Sequence, residues 1–334
     1  MRGKMAATAQ AHPNIAFIKY WGNQDPTLNL PANPSLSMNL AALRTVTTVA
    51  FDPDLAQDEV EINGERAEGR AYRRVVAHLD RIRSLAGRQE RARVVSRNDF
   101  PTGAGLASSA SAFAALTLAA VAAAGLTLSE AALSALARLG SGSAARSIPA
   151  GFVEWQTGER HEDAFARSIA PPDHWALADV IAIVEQAHKP VTSRQGHQLA
   201  PTSPFQEARI ATAPARLAAC KRALLARDFA ALAPILEQDA LMMHAVMMTS
   251  TPSLFYWTGE TVTIIRAVRR WREDGLPVAF TIDAGPNVHC ICPAEVAGEV
   301  EERLWTLPGI REVLVSGVGG GARLIEQEPK GVGP

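Results

Sequence analysis

The stretch Asp99-Phe-Pro-Thr-Gly-Ala-Gly-Leu-Ala-Ser-Ser-Ala-Ser-Ala112 decides the fold. Gly103 and Gly105 let the backbone turn tightly and approach a ligand with no Cβ in the way. Leu106 and Ala107 join that turn to Ser108 and Ser109, which open a long Ala-rich helix. The first-turn N–H groups of such a helix lack intrahelical partners and carry the positive end of its dipole, so they favour an anion. The two hydroxyls add donors for a phosphate or a metal-bound oxygen, with Ser109 the candidate contact to a metal. There is neither the Gly-Lys-Ser/Thr of a Walker loop nor a G-x-G-x-x-G dinucleotide turn. In isolation, a strand-to-helix turn whose glycines serve packing alone would read the same way.

Working outward, Arg93–Arg97 leads into this turn as a short strand, and β-branched Thr45-Val-Thr-Thr-Val-Ala-Phe51 and Ser35–Leu40 read as further strands. Val75, Val76, Leu79, Ile82 and Leu85 recur at helical spacing between Arg70 and Ala86. A second helix is expected from Ser129, its N-cap, to Leu139. Later segments give a buried strand at 178–184, two helices around Pro214 and Pro234, and a third over 253–271. Strands are expected on both sides of Asp283-Ala-Gly-Pro-Asn287, followed by a helix at 294–304 and a strand at 312–316. Residues 23–33 read as a polar loop. Strands and helices do not alternate strictly, which favours α+β over a doubly wound sheet.

The chain of 334 residues is long enough for two packed domains. Its 33 Lys plus Arg against 34 Asp plus Glu leave a net charge of −1, without the basic excess of a nucleic-acid-gripping face. With 47% hydrophobic and 20% charged residues it can bury a large core. Three cysteines, Cys220, Cys290 and Cys292, form neither a disulfide framework nor a paired zinc motif. The start of the chain lacks the apolar run of a signal peptide, and the longest apolar segment, 112–126, is short for a membrane span. A cytoplasmic location without membrane association is expected.

The run Pro-x-x-x-Gly-Leu-x-Ser-Ser-Ala resembles the phosphate loop of the GHMP kinase superfamily, which implies ATP and Mg²⁺ bound there. Four other segments narrow the resemblance. They are Asn14-Ile-Ala-x-Ile-Lys-Tyr-Trp-Gly22, Gly140-Ser-Gly-Ser-Ala-Ala-Arg-Ser147 with Gly151-Phe-Val-Glu-Trp155, Thr202-Ser-Pro-Phe205, and Phe280-Thr-Ile-Asp-Ala-Gly-Pro-Asn287. In order and nearly spanning the chain, they resemble the ATP-dependent mevalonate 5-phosphate and 5-diphosphate decarboxylases. The resemblance implies an α+β, two-domain GHMP kinase fold: a ribosomal S5 domain 2-like N-terminal domain over 1–187 and a ferredoxin-like C-terminal domain over 188–334. The active site would lie between them, and a homodimer is implied because relatives commonly form one.

By the same resemblance, Asp283 matches the catalytic carboxylate facing a tertiary hydroxyl. Arg146 matches the arginine on the substrate carboxylate, where a two-pronged guanidinium suits the geometry. Lys19 matches a lysine near the catalytic aspartate that would keep it ionised. Ser141 and Ser143, with Ser143 the better match, and Tyr20 and Asn14 match substrate-pocket positions. His188-Lys-Pro-Val-Thr-Ser-Arg-Gln-Gly196 resembles the loop that meets the substrate's tail phosphates. That makes Ser193 and Arg194 candidates, with Lys189 beside them and Arg74 on the first long helix. His244, amid Met242, Met243, Met247 and Met248, reads as a satisfied core histidine.

The chain departs from the pattern in one place. Diphosphate-using enzymes usually follow Lys-Tyr-Trp-Gly with Lys-Arg, and here Asn23-Gln24 follow. A charge-assisted hydrogen bond contributes about 1.5–3 kcal/mol, so the loss favours mevalonate 5-phosphate as substrate, giving isopentenyl phosphate, with the diphosphate as the alternative. A 3-hydroxyl kinase that does not decarboxylate and a non-catalytic ligand-binding relative are the remaining alternatives. The intact set Lys19, Ser143, Arg146 and Asp283 argues against both.

Overall fold

A computed structural model of the chain describes residues 6–100, 108–185 and 191–326. Gly103, Gly105, Leu106, Ala107 and Lys189 lie outside the described residues.

The first layer is a six-stranded sheet in the order Arg323–Ile325, Ala6–Ala11, Thr45–Asp52, Arg91–Asn98, Glu59–Ile62 and Glu65–Arg66. Thr45–Asp52 alternates buried with half-buried residues, as a β-branched run does on a sheet with one covered face. Three helices cover that face. Helix α1 (Gly69–Ala86) turns Val75, Leu79 and Ile82 inward. Helix α2 (Ser108–Ala123) packs across Ala6–Ala11 and Thr45–Asp52 and is buried on most sides. That explains its largely apolar composition, and its alanines let the backbone lie close. Helix α3 (Glu130–Gly140) starts where the Ser129 hydroxyl accepts from the Ala132 N–H at 3.3 Å, and it runs into a 3₁₀ turn, Gly142–Ser147.

A second, antiparallel sheet orders Ala166–Ala170, Phe152–Trp155, Ser35–Asn39 and Asn14–Ile18. After the short helix α4 (Ser193–Leu199) come two long ones, α5 (Gln206–Ala226) and α6 (Phe229–Thr249). Their inner residues Cys220, Leu224, Leu232 and Leu236 share one core with Phe17, Leu36 and Met38 of the second sheet and Ile181 and Ile291 of a third. The third sheet, Ala279–Thr281, Val288–Pro293, Leu177–Ile183 and Glu312–Gly317, is antiparallel throughout. Its other face is covered by α7 (Gly259–Glu273) and α8 (Ala297–Trp305). The architecture is α+β in two domains, as expected. Among the described residues no helix is long and apolar enough to cross a membrane.

Leu177–Ile183 sits between Val288–Pro293 and Glu312–Gly317 in the third sheet. The final strand, Arg323–Ile325, returns to pair with Ala6–Ala11. The polar loop 23–33 contains a small hairpin, Asn23–Asp25 with Leu30–Pro31.

Candidate active site

A cavity of about 520 Å³ opens where the three layers meet. Its wall takes Lys19 and Tyr20 from the end of the Asn14–Ile18 strand, Arg74 from α1, Ser108 and Ser109 from α2, Ser141, Ser143 and Arg146 from the 3₁₀ region, Ser193 and Arg194 from α4, and Asp283. Segments far apart in the chain thus converge on one space.

At one end Lys19 Nζ lies 2.6 Å from Asp283 Oδ1. The Lys19 side chain is 1% exposed and that of Asp283 29%, so the carboxylate is the member that reaches the cavity. The lysine backbone is held from both sides. Its N–H donates to Asp239 Oδ1 at 2.7 Å, and its carbonyl accepts from Arg209 at 2.7 Å and Asn33 Nδ2 at 2.9 Å. Asp239 also takes the Arg216 Nε at 2.7 Å. Burial alone would raise the Asp283 carboxyl, but Lys19, His289 and Arg146 outweigh it and hold the group below its usual value. Burial draws Lys19 below the usual ammonium value against the opposing pull of Asp283 and Asp239.

Asp283 lies two residues past the edge strand Ala279–Thr281 of the third sheet, and its carbonyl accepts from the Gly285 N–H at 2.7 Å and from His244 Nε2 at 3.1 Å. His244 is therefore more than a core histidine. It ties α6 to the aspartate turn, while its Nδ1 is buried without a hydrogen-bond partner.

Arg146 is 4% exposed. Its Nε donates to Asn14 Oδ1 at 3.0 Å, one terminal nitrogen donates to Ser35 Oγ at 2.8 Å, and its guanidinium lies 5.7 Å from the Trp155 ring centroid. Burial lowers its pKa to about 10. Among the described residues no carboxylate forms an ion pair with it, although buried charges ordinarily have one. A planar, two-pronged donor in this state suits an external carboxylate. Asn14, expected at a substrate-pocket position, gives its carboxamide to Arg146, Ser147 Oγ at 2.8 Å and the Ser143 carbonyl and does not line the cavity wall.

The other end of the cavity carries Arg70, Arg74 and Arg194. Arg74 donates to the Gly140 carbonyl at 3.0 Å and stacks 4.7 Å over Phe113, and its Nε has no partner. Burial, with Arg194 and Arg70 close by, lowers its pKa to about 10. None of the three pairs with a carboxylate among the described residues. Ser193 and Arg194 open α4 beside Thr192, whose hydroxyl caps the helix by accepting from the Gln195 N–H. Ser109 Oγ lies 3.1 Å from Ser141 Oγ. The Tyr20 hydroxyl, driven upward in pKa by burial, donates to Asn23 Oδ1. Of the Asn23-Gln24 pair only Asn23 lines the cavity, since Gln24 reaches out to the Gly158 carbonyl.

Sequence reasoning missed Arg70 and His197 in the wall and the clamps Asp239, Arg209 and Asn33 behind it. Arg70 could have been found, because it precedes Arg74 by one helical turn. Among the described residues no group of three His, Cys, Asp or Glu could hold a metal. The oxygen donors at the Ser108–Ser109 end fit a hard cation that is carried on phosphates better than one caged by the protein.

The fold and this cleft define a GHMP-type enzyme. Residues 11–166 match the family model described as the diphosphomevalonate decarboxylase-like N-terminal domain, and residues 179–313 the mevalonate 5-diphosphate decarboxylase C-terminal domain. The diphosphomevalonate decarboxylase of Ganoderma lucidum is 39% identical over 321 residues, covering 89% of this chain and 80% of that one. The phosphomevalonate decarboxylase of Haloferax volcanii is 37% identical over 326 residues, covering 97% and 98%. The crystal structure of mevalonate diphosphate decarboxylase from Staphylococcus aureus superposes with a TM-score of 0.92 at 37% identity, covering 97% of this chain and 99% of that one. A related structure, MDDEF in complex with MVAPP, AMPPCP and magnesium, gives 0.91 at 36% identity, covering 97% and 100%. The chain belongs to the mevalonate phosphate and diphosphate decarboxylase family of the GHMP kinase superfamily.

Proposed function

We propose that this protein catalyses the ATP-dependent decarboxylation of mevalonate 5-diphosphate to isopentenyl diphosphate. The observation that carries the reading is the Lys19–Asp283 pair sharing one cavity with Arg146, a buried guanidinium that forms no ion pair among the described residues. Asp283 accepts the proton of the tertiary hydroxyl as that oxygen takes the terminal phosphoryl group of ATP. Lys19 keeps the aspartate ionised. Arg146 grips the substrate carboxylate. When the new phosphate ester leaves with its C–O bonding pair, the electrons of the carboxylate C–C bond become the alkene and CO₂ departs. Ser108, Ser109, Ser141 and Ser143 line the path of the phosphates with hydroxyls. Magnesium, when bound with ATP, supplies neutralisation of phosphate charge.

The tail phosphates are assigned to the end walled by Arg70, Arg74, Ser193 and Arg194. Three guanidiniums without carboxylate partners among the described residues favour the more highly charged diphosphate, as do the relatives named for that substrate. Asn23 favours a second reading. A neutral carboxamide faces the cavity there, and the Haloferax relative, matching nearly end to end, is a phosphomevalonate decarboxylase. The test is release of ADP and CO₂ from ATP, Mg²⁺ and each ester supplied separately. A higher kcat/KM with the diphosphate is expected. A reversed preference would install the monophosphate reading, and ADP without CO₂ would overturn decarboxylation.

A further inference from the structure

His197 lines the same cavity, and its side chain is fixed on three sides. The Gly22 N–H donates to Nδ1 at 2.9 Å, so that nitrogen carries no proton and the ring hydrogen of the neutral imidazole sits on Nε2. Tyr20 and Trp21 flank the ring, at centroid separations of 4.2 Å and 4.6 Å and interplanar angles of 31° and 35°. Helix α4 can come this near because residue 196 is glycine: a Cβ there would lie 2.5 Å from the Trp21 ring. Burial, reinforced by Arg209 and Arg146, lowers the imidazole pKa to about 3, so the ring remains neutral at working pH. Among the described residues nothing accepts a hydrogen bond from Nε2.

We propose that His197 contacts the substrate, its Nε2–H donating a hydrogen bond to an anionic oxygen of the mevalonate phosphate ester. The inference rests on the decarboxylase reading and deepens it. The wall already holds four guanidiniums, Arg70, Arg74, Arg146 and Arg194. A further cation would repel them in the empty site, whereas a neutral donor of fixed direction adds recognition without that cost. The ring is also locked by contacts that leave its donor edge unused, as expected of a preorganised binding group.

The rival role is architectural, with Nδ1 merely holding the Gly22 turn. Two substitutions separate the roles, because the amide nitrogen of Gln falls near Nε2 and the amide of Asn near Nδ1. His197→Asn keeps an acceptor for Gly22 and removes the donor; His197→Gln does the reverse. Steady-state CO₂ release by wild type with each ester first tests the decarboxylase reading itself. With the ester that turns over, His197→Asn is expected to raise KM about tenfold and His197→Gln about threefold, with kcat changed less than KM in both. Melting temperature should order the two variants the opposite way. Equal KM values in the two variants, or a larger rise for His197→Gln, would overturn the proposal while leaving the wild-type activity standing.

Discussion

The two ends of the cleft treat charge in opposite ways. At one end Lys19 meets Asp283 at 2.6 Å, and its backbone is pinned by Asp239, Arg209 and Asn33. At the other end Arg70, Arg74 and Arg194 face one another without a carboxylate partner among the described residues. A neutralised, clamped pair is organised before any ligand arrives, which suits a group that must take one proton along one direction. A cluster of like charges is incomplete until an anion enters, which suits binding. The contrast predicts that damage at the first end appears in kcat and damage at the second in KM.

The largest effect is expected from Asp283→Asn, which keeps the shape of the side chain and removes its charge. The turnover number should fall on the order of 10³-fold, within the range that general-base groups contribute, while ATP-analogue binding by titration stays intact. Turnover within about tenfold of wild type would remove Asp283 from the chemistry and erase the contrast. At the far end, Arg74→Ala should raise KM for the phosphate ester about tenfold or more, the worth of one charge-assisted hydrogen bond, with kcat nearly unchanged. A fall in kcat at constant KM would show that both ends act on the reacting atoms.

Much of the first end was legible in the sequence. A lysine in an apolar strand and an aspartate before Gly-Pro are unusual enough to mark, and the resemblance joined them across more than two hundred residues. The clamps were not legible, because Asp239, Arg209 and Arg216 lie on long helices where charged residues are ordinary, and only tertiary packing buries them. His197 was hidden for a similar reason: its tautomer is set by the Gly22 amide, distant in sequence. The strand Ala6–Ala11, with its weak β propensity, is held by Thr45–Asp52 and the late strand Arg323–Ile325. The neighbours of Leu177–Ile183 were not legible either, because the strand is uniformly buried and such a run carries no mark of the sheet that it joins.

The smallest effect sharpens the comparison through pH. Asp283 is held below its ordinary 3.8, so this pair imposes no acid limb on kcat near neutrality. Lys19 is drawn below its ordinary 10.5 by burial, so an alkaline limb should begin at lower pH than for a free lysine, as loss of the ammonium removes the charge that keeps Asp283 ready. Stability linked to Lys19 moves the other way. Between the folded pKa and 10.5 the unfolded chain binds more protons, so this group's contribution grows with rising pH and is lost as the pH falls through the folded value. Falling activity in that window is therefore not unfolding caused by Lys19. Lys19→Arg, which stays charged, should lower kcat overall yet flatten the limb, because a guanidinium does not titrate there. An unchanged limb in that variant would assign the decline to another group and leave the clamped end a structural pair alone.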